Sequence, residues 1–385
     1  PDVAPEPRVL ALNLPLAADL GLIETALADH AAHWFSGAAL PEGAEPVALA
    51  YAGHQFGGFS PQLGDGRAHL LGELVTPKGQ RFDLQLKGSG RTPFSRGGDG
   101  KAAVGPMLRE YLISEAMAAF GIPTTRSLAV VATGERIWRD GQSLPGAVLA
   151  RIAASHIRIG TFQFFSARGE ADKLRALLAY TIARHYPQAA QAPVPALALF
   201  DAVMAGQARL IAQWMGVGFV HGVMNTDNMA LSGETIDYGP CAFLEDYAPG
   251  TVFSSIDRQG RYAYANQPLI LGWNLARLAE TLLPFLDADP DRAVDIANER
   301  LAAIAPSYQA EWLAVMRAKL GLAGAAPDDL ALIEGFLAAI VGVDWTLAFR
   351  RLSRAISDEA GYLAMFDAPQ AMQAWLPQWR ARRSA

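Results

Sequence analysis

Cysteine is almost absent from this sequence, since Cys241 is the only one in 385 residues. A single cysteine excludes a disulfide within the chain and is typical of proteins from a reducing compartment. Basic residues are also in the minority, with 32 Lys and Arg against 38 Asp and Glu and a net charge of -6. Domains that bind nucleic acid broadly are normally basic, so we expect no nucleic-acid partner.

Long apolar runs are scarce as well. The run from Phe336 to Val343 is far shorter than the roughly 18 residues needed to cross a bilayer, so we expect a soluble protein with no membrane partner. No basic stretch followed by an apolar segment opens the chain, which favours a cytoplasmic location. The hydrophobic content of 51% is enough for two packed cores, so two lobes or domains are expected.

Short alternating or β-branched runs in a glycine-rich context occupy residues 46–152. They predict strands at 68–76, 81–87, 127–133, 136–139 and 147–152. The turn residues Pro77-Lys78-Gly79 and Arg139-Asp140-Gly141 predict hairpins. One helix interrupts the strands at about 105–120, where apolar residues recur at helical spacing, and Gly121-Ile122-Pro123 ends it.

From about Ser155 the chain becomes rich in Ala and Leu. The apolar spacing predicts helices near 170–186, 195–216, 268–284, 290–304, 306–321, 327–340 and 346–357. Strand signals are left only at 229–231 and 235–237. The sequence therefore predicts an α+β, protein-kinase-like, two-lobed fold. Its N-terminal lobe, residues 1–153, has an antiparallel sheet plus a helix, and its larger C-terminal lobe, residues 154–385, is helical.

The most specific motif is His221-Gly-Val-Met-Asn-Thr-Asp227-Asn228, with Asp237-Tyr-Gly downstream. Kinase-like phosphotransferases have His-Gly-Asp, then Asn five residues later, then a DFG-type Asp. Here Val223 occupies the position of the early Asp, and an isopropyl group cannot accept a proton. The nearby carboxylate that could replace it is Asp227.

Asn228 and Asp237 carry oxygen ligands, and short strands would place them on adjacent backbone segments. With phosphates and water they would complete an open Mg²⁺ site. The alternative is a buried polar turn without a ligand. We expect His221 to tie this loop by hydrogen bonds.

Gly64-Asp65-Gly66-Arg67 could bring backbone N–H groups and a guanidinium to a phosphate, although so short a motif is also an ordinary hairpin turn. Lys87 closes the 81–87 strand, whose polar side chains are expected to face away from the core. A glycine turn, a strand lysine and a helix glutamate follow one another in kinases. The matching glutamate is Glu110, with Glu115 as the alternative.

The loop from Lys87 to Lys101 carries five glycines, three hydroxyl residues and four basic residues, which suits phosphate better than a plain linker. Within it, Asp99 and Gly100 could orient a nucleotide. Arg151 and Arg158 lie where the strand-rich part meets the helical part, and two guanidinium groups there would suit a triphosphate. An ordinary salt bridge between lobes is the alternative.

Four long strings together resemble the selenoprotein O family: Tyr51-Ala-Gly-His-Gln-Phe-Gly, Leu63-Gly-Asp-Gly-Arg-Ala, Leu86-Lys-Gly-Ser-Gly-Arg-Thr-Pro-Phe-Ser-Arg, and the 221–229 motif with Thr235-Ile-Asp-Tyr-Gly-Pro. The resemblance covers nearly the whole chain. It implies a kinase-like fold that transfers AMP from ATP to hydroxyl side chains of proteins, with the nucleotide reversed relative to an ordinary kinase.

By this resemblance Asp227 is the proton acceptor, and Asn228 and Asp237 hold Mg²⁺, with Mn²⁺ as the alternative ion. The resemblance further implies that ATP is bound by Gly64, Gly66, Arg67, Lys87, Glu110, Asp99, Gly100, Arg151, Arg158 and Asp237. Members of the family often carry a cysteine or selenocysteine beyond the equivalent of Arg383, so no redox pairing of Cys241 with such a residue is expected within this chain. A conventional kinase using Asp227 and an inactive nucleotide-binding scaffold are the competing functions.

Overall fold

The structure, a computed structural model, describes residues 1–384. Contacts group the chain into two compact units. The first contains Pro1–Val203, Asn225–Gly239 and Arg277–Pro290; the second contains Met204–Met224, Pro240–Ala276 and the chain from Asp291 onward. The lobe boundary between residues 153 and 154 stays a prediction.

Ten strands are present in the described residues: β1 Arg8–Leu12, β2 Gly53–Gln55, β3 Gly58–Ser60, β4 Ala68–Val75, β5 Arg81–Lys87, β6 Ala102–Ala103, β7 Arg126–Arg139, β8 Gln142–Ala153, β9 Phe219–Val220 and β10 Ala242–Phe243. The main sheet has the order β1-β7-β8-β5-β4, with β6 paired to β8, and all its pairs are antiparallel. Strands β2 and β3 form a separate hairpin, and β9 pairs with β10.

Thirteen α-helices are present in residues 1–384: α1 Leu14–Asp19, α2 Glu24–Ser36, α3 Val104–Ala119, α4 Ile159–Ser166, α5 Ala171–His185, α6 Pro195–Val217, α7 Gln267–Leu282, α8 Pro290–Ala302, α9 Ile304–Leu320, α10 Asp329–Ala339, α11 Trp345–Arg350, α12 Glu359–Leu363 and α13 Gln370–Ser384. Short 3₁₀ turns, among them Thr226–Asn228, connect several of them. An antiparallel sheet packed by α1, α2 and α3, followed by a helical remainder, confirms the predicted α+β fold class.

Alternation along the strands places apolar side chains on both faces of the sheet. Leu84, Leu86 and Ile152 pack with helices α1 and α2 on one face. Leu149 packs with Met107 of α3 on the other. Residues 83, 85 and 87 of β5 and residue 151 of β8 alternate with the first group, so they share the face that α3 covers.

The prediction of two short strands around 229–231 and 235–237 is wrong. Within residues 1–384 each piece makes only a single bridge, Ala230 with Arg158 and Thr235 with Thr124. The predicted strands at 127–133 and 136–139 are one strand, β7, whose register shifts between Ala132 and Arg136. That irregularity accounts for the break in the sequence pattern.

The sequence pattern did not predict a membrane span at helix α6, but the helix is long and apolar enough to cross a membrane. In the structure 56% of its apolar window is buried. A core helix of a soluble protein meets the same criterion, so the finding alone places nothing in a membrane.

Candidate functional site

The pairing of β5 with β8 builds the floor of a polar cluster in the first unit. Gln85 lies opposite Arg151 in the register, and both side chains are buried. The polar side chains of β5 do point away from Leu84 and Leu86, as predicted, but they are covered rather than solvated. A buried charge must be paired or kept for a ligand, so the partners of these groups decide what the cluster is for.

Helix α3 supplies the carboxylate that pairs with Lys87. The Lys87 Nζ donates to Glu110 Oε2 at 2.7 Å, and Arg151 Nη1 lies 3.1 Å from Glu110 Oε1. Glu115 instead accepts from Arg126 and Asn13. Five positions on a helix correspond to a rotation of about 140°, so the two glutamates face different neighbours. Glu110, not Glu115, is the partner of Lys87.

Asp237 gathers three cations on one carboxylate. Its Oδ1 accepts from Lys87 Nζ at 2.7 Å and from Arg151 Nη1 at 2.6 Å, and its Oδ2 accepts from Arg158 Nη1. Burial alone would raise the pKa of Asp237, but Arg158, Lys87 and Arg151 outweigh it and hold that pKa well below its usual range. Asp237 also has a φ of 61°, a left-handed conformation that is uncommon outside glycine and is concentrated at functional sites.

Arg158 connects this cluster to two residues that the sequence did not single out. Its Nη2 lies 3.8 Å from Asp65 Oδ1, and its guanidinium carbon lies 4.6 Å from the centre of the Tyr51 ring. Asp65 Oδ2 in turn accepts from Gln85 Nε2 at 2.9 Å. Asp65 and Gln85 therefore hold the two arginines in place.

The glycine turn is packed against the loop that follows Lys87. A Cβ atom on Gly64 would lie 2.2 Å from the Phe94 ring. Thr92 Oγ1 donates to the Asp65 carbonyl, and Ser95 Oγ donates to the Gly66 carbonyl, both at 2.6 Å. These contacts explain the glycines by close approach of the loop. The predicted phosphate contacts of Gly64, Gly66 and the exposed Arg67 stay predictions.

Asp99 and Gly100 are fixed by contacts at the far end of β7. Asp99 accepts from both terminal nitrogens of Arg139, at 2.7 and 2.8 Å, and from the Lys101 backbone N–H at 3.0 Å. Gly100 has a φ of 69°, and a Cβ there would lie 2.0 Å from the Gly90 carbonyl oxygen. These contacts account for an aspartate at position 99 and a glycine at position 100 without a ligand. The predicted nucleotide contacts of both residues stay predictions.

Asp227 is held on the short turn Thr226–Asn228 and is buried. Its Oδ2 accepts from Gln55 Nε2 at 3.2 Å, while its Oδ1 is buried with no hydrogen-bond partner in the structure. Burial raises the pKa of Asp227 to about 6, against the opposing effect of Arg158. A carboxylate with a pKa near neutrality is suited to accept a proton.

The β2–β3 hairpin is fixed on the segment that carries Asp227. The His54 backbone N–H donates to Thr226 Oγ1 at 2.7 Å, and the Phe56 N–H donates to Asn225 Oδ1 at 3.3 Å. Gln163 of α4 accepts from Thr226 Oγ1 at 2.6 Å and lies 2.8 Å from His54 Nδ1. The 51–57 string is thus part of the site, and its only sequence signal was the family resemblance.

The predicted metal ligands have suitable chemistry. Asn228 and Asp237 offer oxygen donors, which Mg²⁺ prefers, and the low pKa of Asp237 keeps it ionised. Among residues 1–384 no group of three or more His, Cys, Asp and Glu side chains could hold a metal ion. A site with two protein ligands, completed by phosphate oxygens and water, does not need one. His221, in the second unit, accepts from the Val223 N–H through its Nδ1 at 3.3 Å.

Comparison with known proteins gives consistent matches along the chain. A family model described as protein adenylyltransferase SelO matches residues 2–381. A protein nucleotidyltransferase YdiU from Cereibacter sphaeroides KD131 is 64% identical over 380 residues, which are 98% of this chain and 79% of that protein. A protein of the same name from Rhizobium johnstonii is 60% identical over 389 residues, 100% of this chain and 78% of its own length.

A kinase domain of a rhoptry antigen from Toxoplasma gondii covers 70% of this chain and 87% of its own, at 12% identity and a TM-score of 0.30. A TM-score this low carries no weight for fold or function.

Proposed function

This chain belongs to the SelO family of protein adenylyltransferases, and we propose that it is a protein nucleotidyltransferase that moves AMP from ATP to hydroxyl side chains of proteins. The observation that carries the proposal is the position of Asp227. Its carboxylate, with a pKa of about 6, lies in the same motif as Val223, which occupies the position of the usual base, and Arg158 Nη1 donates to the Asp227 backbone carbonyl at 2.6 Å. Proton acceptor and cations are thus joined in one network.

In the proposed reaction the acceptor hydroxyl gives its proton to Asp227. The hydroxyl oxygen forms a bond to the α-phosphorus of ATP as the bond between that phosphorus and the α,β-bridging oxygen breaks. Pyrophosphate leaves with the bonding electron pair. Lys87, Arg151 and Arg158 stabilise the charge that accumulates on it, in a buried site where fixed cations act strongly.

Asn228 and Asp237 would hold Mg²⁺, or Mn²⁺ in its place, and the ion would neutralise phosphate charge when bound. Glu110 keeps Lys87 and Arg151 oriented through its two oxygens. Gly64, Gly66, Arg67, Asp99 and Gly100 are proposed to complete the nucleotide site. ATP and proteins with accessible hydroxyl groups are the proposed partners, and the cytoplasm is the proposed location.

The proposal is tested with ATP labelled separately at the α- and γ-phosphates, incubated with Mg²⁺ and an unfolded acceptor protein such as casein. The expected result is α-label on protein, γ-label in released pyrophosphate, and neither in the Asp227→Asn variant or in excess EDTA. Transfer of γ-label would make the protein a kinase. ATP binding with no transfer of either label would favour a scaffold.

A further inference from the structure

The β2–β3 hairpin, whose Gln55 contacts Asp227, exposes two aromatic side chains. Phe56 is 38% exposed and Phe59 is 44% exposed. Between them lie Gly57 and Gly58, which are also exposed. Two large aromatic rings are thus in contact with water on one short hairpin, which is unfavourable for the apolar surface of the rings.

Turn geometry makes Phe56 more unusual still. Gln55 pairs with Gly58, so Phe56 and Gly57 form a two-residue loop, and both have positive φ, 51° and 85°. Such loops prefer Asn-Gly or Asp-Gly, and a bulky residue in the left-handed region is strained. The hairpin of β7 and β8 has the preferred pair, Asp140 at φ 49° and Gly141 at φ 76°. Backbone stability therefore does not explain a phenylalanine at position 56.

The hairpin and the proton acceptor are held as one piece. Gln55, next to Phe56, donates to Asp227 Oδ2, and the Phe56 N–H donates to Asn225. A Cβ on Gly53 would lie 2.5 Å from Asp227 Oδ1, so the base of the hairpin touches that carboxylate directly. Phe56 and Phe59 therefore lie on a hairpin that is fixed close to the place where an acceptor hydroxyl must arrive.

We propose that Phe56 and Phe59 bind the protein acceptor, as a docking surface for an extended segment with apolar residues next to its hydroxyl residue. The inference rests on the proposed function, since a hydroxyl must come within hydrogen-bond reach of Asp227 to transfer its proton. The polypeptide on either side of that hydroxyl then meets the rim of the site, and exposed aromatic rings bind apolar side chains well.

The test compares Phe56→Asn and Phe59→Thr with Trp138→Thr, which removes an exposed aromatic ring from the other hairpin. The probes are two fluorescent peptides with one central tyrosine, flanked by leucines in one and by aspartates in the other. We expect Phe56→Asn and Phe59→Thr to bind the leucine peptide about tenfold more weakly and to raise its KM with little change in kcat. Affinity for ATP should stay unchanged, and Phe56→Asn should not lower Tm.

Peptide binding is measured with an ATP analogue that cannot be cleaved, so it does not depend on catalysis. Selective loss of leucine-peptide binding in both hairpin variants, but not in Trp138→Thr, supports the docking surface even if no AMP is transferred. Equal binding by wild type and hairpin variants overturns it, even if AMP transfer is confirmed. A parallel loss of ATP affinity would also overturn it, because the hairpin would then act through the nucleotide site.

Discussion

Two aspartates of this protein each hold two arginines, in very different surroundings. In the first unit Asp237 pairs with Arg151 and Arg158, whose side chains are 2% exposed, and with Lys87. In the second unit Asp329 pairs with Arg317 and Arg382, whose side chains are 20% and 16% exposed. In the first cluster the arginines are buried and the aspartate is 20% exposed, whereas in the second the aspartate is buried and the arginines reach solvent.

The Asp329 cluster is saturated by the structure around it. Asp329 Oδ2 accepts from the Ala326 N–H at 2.8 Å, and Arg382 also donates to the carbonyls of Ala323 and Gly324 at 3.1 Å. These bonds join helix α13 to the segment that precedes α10. A cluster of this kind contributes to stability alone.

The Asp237 cluster is not saturated. The Nε atoms of Arg151 and Arg158 and Oδ1 of Asp227 are buried with no hydrogen-bond partner. Removing two arginines and a lysine from water is costly, and packed apolar side chains often give equal or better stability. Stability therefore does not account for this cluster, and the proposed phosphate-bearing ligand would account for it.

Asp237→Asn should produce the largest difference between the clusters. We expect AMP transfer to fall by about a thousandfold or more, because the proposed positioning, metal and charge effects would all be lost together at this residue. Asp329→Asn should leave kcat/KM of the folded protein nearly unchanged. Initial rates of label transfer, corrected for the folded fraction, check both, and equal losses would remove the distinction.

A second pair of variants should change the free energy of unfolding in opposite directions. Because the folded pKa of Asp227 is raised to about 6, its contribution to stability is present at low pH and is lost as pH rises through that value. Asp227→Asn should therefore raise the free energy of unfolding at pH 8 by about 3 kcal/mol. Asp329→Asn should lower it by about 2 kcal/mol through lost charged hydrogen bonds. Urea unfolding at pH 8 and near pH 4 measures both, and an Asp227→Asn gain that persists unchanged at pH 4 would contradict the linkage.

Pyrophosphate alone should distinguish the arginines of the two clusters. We expect Arg158→Gln to weaken pyrophosphate binding about tenfold, since a charged hydrogen bond to phosphate is lost. Arg382→Gln is the matched control and should bind as the wild type does. Calorimetric titration decides, and unchanged affinity in Arg158→Gln would exclude that residue from the phosphate site.

The pH dependence gives the smallest effect. As the proposed proton acceptor, Asp227 must be ionised to act, so kcat/KM should rise with pH and reach half its plateau near pH 6. Asp329→Asn should show the same acid limb. A limb near the ordinary pKa of an exposed aspartate would mean that burial does not tune the proton acceptor.

Sequence periodicity predicted much of this architecture, and the reasons for the misses are physical. Strand β5 was predicted with its observed ends, and the family resemblance drawn from the motifs is confirmed. Helix α2 was missed because its buried apolar side chains, Leu27, Ala31 and Phe35, are only one per turn. Helix α13 was missed because Pro377 lies inside it.

The site was partly predictable for a similar reason. Charged residues in recognisable motifs, such as Lys87 and Glu110, could be named and are found paired. Asp65, Gln85 and Gln55 could not, because their roles depend on the β5–β8 register and on long-range docking of the hairpin. Neither is encoded in local spacing.

The buried cations around Asp237 are proposed to serve AMP transfer through Asp227. Intact-mass spectrometry of an acceptor protein after reaction with ATP and Mg²⁺ tests it most directly, using wild type, Asp237→Asn, Asp227→Asn and Asp329→Asn. We expect an AMP adduct with wild type and Asp329→Asn and none with the other two. A phosphate adduct, or an AMP adduct that survives Asp227→Asn, would contradict it.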